Sequence, residues 1–315
     1  MSEHGVVLLD ADAVARLLGP VAAADAVAAA LRAGVDPEAC PPRVNVIVPA
    51  GQLLLMPAAA GTYAGVKVAG VAPANPGRGL PRITGSYLLL DGRTLLPLAL
   101  LDGAALTALR TPAVSAVAIR HLAEPDAAHL LLFGAGPQAY GHLDAARAER
   151  PLATVTVVGR SHEPANALVV YACGLGLDAR TGTPADVSGA DLVICCTTAR
   201  EPLFDGRLAP DHATVVAVGS HEPDARETDS LLVRRSAVFV ESRAAALREA
   251  GDLLIPQAEG AIGPDHVTGT LADLVNGRVA PSPGRPRLFK SVGMAWEDLA
   301  VAAAVHRTIT PDGET

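Results

Sequence analysis

The period of the hydrophobic pattern changes along the chain, and each change predicts a different kind of element. From residue 8 to about 32 apolar positions recur at helical spacing, with Val14, Leu17, Leu18, Val21, Val27 and Leu31 as candidate core residues. Pro41-Pro42 ends that rhythm. Beyond it the period is two: Val44, Val46 and Val48 share one face of a strand with Arg43 on the other, and 52–56 is a second run ending at Pro57. Over 63–70, Val66 and Val68 share a face while Lys67 points the opposite way, flanked on its own face by Gly65 and Ala69. Those small neighbours predict open space around the ammonium, which then needs an anionic partner or a ligand; an ordinary edge-strand lysine is the alternative. Residues 83–90, Asp91-Gly92 and 95–101 predict a hairpin. At Thr111-Pro112 the chain offers an N-cap followed by proline at a first helical position. A helix is expected to start there and run to about Leu122, its N-terminus an anion site beside Arg110; a proline in a helix interior, which costs about 3 kcal/mol, is the alternative.

The second half alternates strands and helices. Leu130-Leu131-Leu132-Phe133 is a run suited to a strand buried on both faces, and it stops at Gly134-Ala135-Gly136-Pro137-Gln138-Ala139, a G-x-G-x-x-A turn. A helical segment (140–149) and a second β-rich run (153–158) complete a βαβ unit of dinucleotide-binding size. Gly134 permits a tight exit from the strand, Gly136 lets a pyrophosphate approach the backbone, Ala139 keeps helix and strand close, and the helix N-terminus offers free amides to phosphate. At the end of the second strand, where a carboxylate would select a free ribose 2′-hydroxyl, Gly159 stands instead, followed by Arg160, Ser161 and His162. Arg160, with Ser161 as an extra donor, suits a 2′-phosphate, so NADP(H) is expected before NAD(H); otherwise Arg160 is a solvated residue and Ser161 a helix cap. Runs at 191–198, 214–218 and 237–240 extend the parallel sheet, whose carboxyl ends should place Thr197, Thr198, Ser220 and His221 near the nicotinamide, with a structural loop role for His221 as the alternative. The Pro/Gly-rich stretch 280–287 suggests a crossover between domains, and 288–299 the beginning of a terminal helix.

Composition adds limits. With half of the 315 residues hydrophobic but 3% aromatic, the cores must be built from Ala, Val and Leu. A net charge of −8 with no basic block argues against nucleic acid or an anionic membrane surface. No apolar run reaches about 18 residues, and Glu3, His4, Asp10 and Asp12 interrupt any signal-like stretch. The four cysteines show no C-x-x-C spacing and the nine histidines no H-E-x-x-H, so a reduced, cytoplasmic protein with small buried thiols and no metal is expected.

Several stretches, in order, resemble the ornithine cyclodeaminase/μ-crystallin family: Pro42-Arg43, Leu55-Met56-Pro57, Gly65-Val66-Lys67-Val68, Asn75-Pro76, the 106–111 segment, the Gly134 turn, Pro223-Asp224-Ala225-Arg226-Glu227, Ala250-Gly251-Asp252-Leu253 and Phe289-Lys290-Ser291-Val292-Gly293-Met294. The resemblance implies an α/β chain in which a Rossmann dinucleotide-binding domain (122–288) is inserted into a smaller α+β substrate and dimerisation domain (1–121 and 289–315), assembling as a homodimer. It implies that Arg43, Lys67 and Arg110 bind a substrate carboxylate, that Thr111 touches cofactor phosphate, and that Ser291, Val292 and Gly293 lie by the nicotinamide. Cyclodeaminases carry a glutamate and an aspartate at the positions of Leu54 and His221, and both are lost here. Ornithine deamination needs such carboxylates, whereas imine reduction needs a fixed carboxylate, an aligned carbon and a proton from Lys67 or His221. An NADPH-dependent reductase of cyclic imino acids, of the pyrroline-2-carboxylate or piperideine-2-carboxylate type, is therefore expected. A cyclodeaminase-type lyase, an amino acid or N-alkyl amino acid dehydrogenase and a non-catalytic NADPH-binding protein are the alternatives.

Overall fold

The computed structural model describes residues 5–310, so Glu3 and His4 lie outside the described residues. The chain divides into two compact units: one takes it up to Ala113 and again from Met294, the other is Val114–Gly293. The family resemblance implies these joins at 121/122 and 288/289.

The first unit contains β1 (Val7–Leu9), α1 (Ala11–Leu17), α2 (Pro20–Arg32), β2 (Val44–Val48), β3 (Gly51–Ala60), β4 (Tyr63–Val71), β5 (Ile83–Asp91), β6 (Pro97–Asp102) and the start of α3 (Gly103–Leu122). Its sheet has the order β1-β6-β5-β4-β3-β2, antiparallel except for the β1–β6 pair. The helical region expected over 8–32 is thus a short strand and two helices. Asp10 caps the first, accepting from the Ala13 amide at 2.8 Å, and Pro20 opens the second. The run ending at Pro57 continues through it, because β2 leaves off opposite Leu55 and Pro57 pairs with Val66 of β4 alone.

The alternation in β4 is real, but its faces are reversed relative to an apolar core. Tyr63, Gly65, Lys67 and Ala69 point inward, while Val68 is exposed. Period two fixes which residues share a face, and tertiary packing decides which face is covered. Here the cover is the last helix, α10 in chain order (Ala295–Arg307), which packs on β3, β4, β5 and α2.

A second departure concerns α3. Pro112 lies inside one unbroken helix and starts none, so no helix N-terminus exists at Thr111 and the anion site expected there is withdrawn. An interior proline costs about 3 kcal/mol. The burial of Leu106, Ala113, Val114, Val117 and Ile119 along the same helix offsets that cost. In the second unit, Arg150 ties down the end of α3, donating to the carbonyls of Ile119, Arg120 and Ala123 at 2.8, 3.0 and 2.8 Å.

The second unit continues with β7 (His129–Phe133), α4 (Pro137–Glu149), β8 (Thr154–Val158), α5 (His162–Gly174), β9 (Asp178–Thr181), β10 (Leu192–Cys195), β11 (Thr214–Ala217), α6 (Ser230–Arg235), β12 (Ala237–Val240), α7 (Arg243–Glu249), α8 (Gly251–Ala258), β13 (Val267–Thr270), α9 (Leu271–Val275) and β14 (Arg287–Lys290). All its pairings are parallel, in the order β13-β12-β14-β11-β10-β7-β8-β9. The chain leaves β7 toward β8 and returns on its other side at β10, which makes the carboxyl ends of β7 and β10 the switch point where such sheets bind ligands. The 280–287 stretch leads into β14 and not across to another domain. Residues 288–290, expected at the beginning of a helix, belong with Arg287 to a strand between β11 and β12, because Leu288 and Phe289 are buried on both faces. The thiols also differ from expectation: Cys195 is buried, Cys40 and Cys196 are half-buried and Cys173 is exposed. No single helix among the described residues is long and apolar enough to cross a membrane.

The start of α3 sits directly on β5: a methyl at Gly103 would lie 2.7 Å from the Gly85 carbonyl carbon and 2.8 Å from the Ser86 nitrogen. Backbone cannot yield cheaply, so Gly103→Ala is expected to cost about 1–3 kcal/mol in urea unfolding. Gly77→Ala, where a methyl meets nothing within 4 Å, should leave stability within about 0.5 kcal/mol of the parent.

Candidate functional site

The chain has two lysines, Lys67 and Lys290, and both are buried against an aspartate. In the first unit Lys67 is 3% exposed; its ammonium donates to Asp298 Oδ1 at 2.9 Å, lies 2.7 Å from Oδ2, and reaches Thr107 Oγ1 at 3.4 Å. Arg110 joins the cluster from α3, with Nη1 2.8 Å from Glu297 and Nε 3.3 Å from Asp298. The two carboxylates occupy the first turn of α10, where the helix dipole favours negative charge. The open space expected around Lys67 is absent, because the Tyr87 ring fills it: a methyl at Gly65 would collide with the Tyr87 hydroxyl and lie 2.8 Å from Leu88 O. Burial pulls the Lys67 ammonium down, Asp298 pushes it back up and Arg110 lowers it again, leaving its pKa at about 8. Such a group gives up a proton readily near neutral pH, which an ordinary lysine does not. Arg43 immediately precedes β2 and is half-buried; Thr111 is buried within α3.

In the second unit the strand–turn–helix is formed as its sequence requires. Gly134 has φ +108°, open to glycine but strained for other residues, and a methyl there would lie 2.8 Å from the carbonyl oxygen of Cys196. Gly136 is the N-cap of α4 with no side-chain cap, and a methyl on it would meet nothing within 4 Å. Ala135, Pro137 and Gln138 complete the turn, and the buried Oε1 of Gln138 has no hydrogen-bond partner. Open space over Gly136 and the uncapped amides at the start of α4 fit the phosphates of a dinucleotide. Past β8, Arg160 is exposed and donates to Thr198 Oγ1 at 3.5 Å, while Ser161 stands at the N-cap of α5 without a capping hydrogen bond.

Buried carboxylates hold the other crevice loops. Glu227 accepts from the Thr197 amide and hydroxyl at 2.8 and 2.7 Å and from the Gly219 amide at 2.7 Å. Asp252 accepts the Glu227 and Thr228 amides at 2.9 and 2.8 Å, and Lys290 links Asp252 at 3.0 Å to the Ser220 carbonyl at 2.6 Å. Glu241 likewise collects the Ser291 hydroxyl and the amides of Val292 and Gly293. Burial raises the Glu227 carboxyl above its usual range; for Asp252, burial is outweighed by Lys290 and Thr228, which hold it low. His221 is exposed just past this network.

The structure thus gathers Lys67 with Arg110 in one unit, and the Gly134 turn, Thr197, Arg160 and the Ser291–Gly293 loop in the other. The reading of single positions missed Glu297 and Asp298, although adjacent acids in an Ala-rich helix were visible. It also quoted Glu227, Asp252 and Lys290 without giving them a task. Replacing Gly134 by alanine should strain the turn by about 1–3 kcal/mol and weaken nicotinamide coenzyme binding at least tenfold in a fluorescence titration.

Comparison with known proteins agrees with this geometry. The model of the ornithine cyclodeaminase/mu-crystallin family matches residues 6–312. A protein of Colwellia psychrerythraea named Delta(1)-pyrroline-2-carboxylate reductase is 36% identical over 232 residues, 72% of this chain and 73% of its own. The structure of Thermococcus litoralis Delta(1)-pyrroline-2-carboxylate reductase in complex with NADH and L-proline superposes with a TM-score of 0.91 at 32% identity, covering 96% of this chain and 97% of that one. An archaeal alanine dehydrogenase dimer with bound NAD gives a TM-score of 0.91 at 27% identity, covering 96% and 95%. The buried lysine and arginine of one unit, the G-x-G-x-x-A turn of the other and these likenesses lead to one conclusion: the chain belongs to the ornithine cyclodeaminase/mu-crystallin family.

Proposed function

We propose that the protein is an NADPH-dependent reductase of cyclic imino acids, of the pyrroline-2-carboxylate or piperideine-2-carboxylate type. The observation that carries this reading is Lys67: a buried ammonium beside Arg110, with a pKa of about 8. Arg110 and Arg43 suit the substrate carboxylate, and the Lys67 proton suits the imine nitrogen, making the carbon electrophilic. The coenzyme, when bound, supplies the hydride. Leu54 is buried where the cyclodeaminase chemistry wants a carboxylate and cannot take a proton from an ornithine amine, and the second such position holds the exposed His221 in place of an aspartate. The names of the Colwellia and Thermococcus relatives support the same substrate class. Preference for the phosphorylated coenzyme rests on Gly159, Arg160 and Ser161; the Thermococcus relative holds NADH, so the comparison of NADPH with NADH is the direct check. The likeness to an alanine dehydrogenase favours amino-acid oxidation as the second reading.

A screen of coenzyme oxidation over cyclic imino acids, with keto acids plus ammonia as the alternative panel, tests this. Turnover of the ring imines with NADPH is expected, and turnover of keto acid plus ammonia alone would favour the dehydrogenase. Lys67→Met should lower kcat by about 10²–10⁴-fold, the usual worth of a placed general acid. Because the protonated form of Lys67 is the active one, the wild-type rate should fall as pH rises through about 8, the pKa of its ammonium.

A homodimer is part of the proposal. Val44, Val46 and Ile47 of the edge strand β2 are 50%, 41% and 74% exposed, an apolar edge that a second copy would cover. Light scattering should give twice the 32.0 kDa of one chain, and Val44→Lys with Ile47→Lys should give the single-chain mass.

A further inference from the structure

A hydroxyl has one proton to give and two lone pairs to offer. Thr197 gives its proton to Glu227 Oε1 at 2.7 Å and accepts the Ala199 amide at 3.1 Å, which leaves one lone pair. The side chain is half-buried at the carboxyl end of β10, one of the two strands at the switch point. Glu227 has no freedom to release that proton. It is fully buried, its two oxygens also take the Thr197 and Gly219 amides at 2.8 and 2.7 Å, and its own amide is held by Asp252 at 2.9 Å. A side chain at Gly219 would run into the Thr197 carbonyl and the Glu227 carboxylate, so the two loops close directly on the carboxylate.

We propose that Glu227 is a positioning residue that commits the Thr197 proton inward, so that Thr197 meets the coenzyme as a hydrogen-bond acceptor only and recognises an N–H or O–H donor of its nicotinamide-ribose half. The inference rests on the coenzyme reading above. The donor is the carboxamide NH₂ or a ribose hydroxyl, and both satisfy the same lone pair. A glutamine at 227 keeps a single accepting oxygen; with its NH₂ in the place of Oε1, which takes the Thr197 hydroxyl, the threonine proton is turned outward.

Fluorescence titration with NADPH tests the idea on the wild type, Thr197→Val, Thr197→Ser, Glu227→Gln and the Thr197→Val/Glu227→Gln double variant. Thr197→Val is expected to weaken binding about tenfold, the loss of one buried hydrogen bond, while Thr197→Ser stays near the wild type. Glu227→Gln should weaken it by a similar factor, and the double variant should bind no worse than the weaker single one, because both act through one hydroxyl. Two analogues identify the donor: the 3-acetylpyridine coenzyme, with a ketone in place of the amide, and a coenzyme deoxygenated on the nicotinamide ribose. The one that lacks the donor should bind the wild type about tenfold more weakly than NADPH and bind Thr197→Val no worse than NADPH does. Unchanged affinity in Thr197→Val, factors that multiply in the double variant, or no discrimination against either analogue would each overturn the proposal. If Glu227→Gln does not fold, the Thr197 variants and the analogues still decide. Wild-type protein that binds neither NADPH nor NADH removes the coenzyme reading and this inference with it, a result distinct from binding without discrimination.

Discussion

A buried ammonium keeps its proton only with a carboxylate beside it, and both lysines of this chain are arranged that way: Lys67 on Asp298 and Lys290 on Asp252. Removing one partner of such a pair leaves an uncompensated charge, at a cost of about 3–5 kcal/mol. Each pair also fixes geometry. Lys67 joins β4 to α10, and Arg110 ties α3 to the same turn of that helix. Lys290 joins the end of β14 to the loop after β11 and, through Asp252, to Glu227. The hydrophobic core, built of small aliphatic residues, is thereby oriented by a few polar groups that tolerate little displacement.

The two pairs have different surroundings. Lys290 is enclosed by Asp252 and the Ser220 carbonyl and serves the shape of the crevice loops. Around Lys67, burial and Arg110 oppose the proton and Asp298 defends it. That contest makes Lys67 suited to proton transfer, because a lysine solvated in the ordinary way holds its proton too firmly at neutral pH. A reductase that activates an imine by protonation needs no more than this from its acid, whereas a lyase needs bases that Leu54 cannot supply.

What could be read from residues alone was local. The Gly134 turn was legible because its glycines, the preceding apolar run and the following strand lie within about thirty residues, and the parallel sheet followed from the repeated strand–helix rhythm. The β5–β6 hairpin of the first unit was legible for the same reason. Four features were not. The partner of Lys67 lies 231 positions away, so no spacing rule points to it. The inward face of β4 depended on where α10 settles, since alternation is symmetric between faces. Pro112 has the local signature of a helix start, and the packing of residues on both sides of it overrode that signature. The short strand β14 escaped because four residues beside a Pro/Gly-rich stretch carry too little periodicity to distinguish strand from helix.

With only two lysines present, ¹⁵N-lysine labelling yields two side-chain signals, and Lys67→Met identifies which belongs to Lys67. Following that signal against pH measures the proton affinity of the ammonium directly. A midpoint near pH 8 is the result predicted by its burial between Asp298 and Arg110, and a midpoint at the ordinary lysine value of about 10.4 would contradict the role assigned to it.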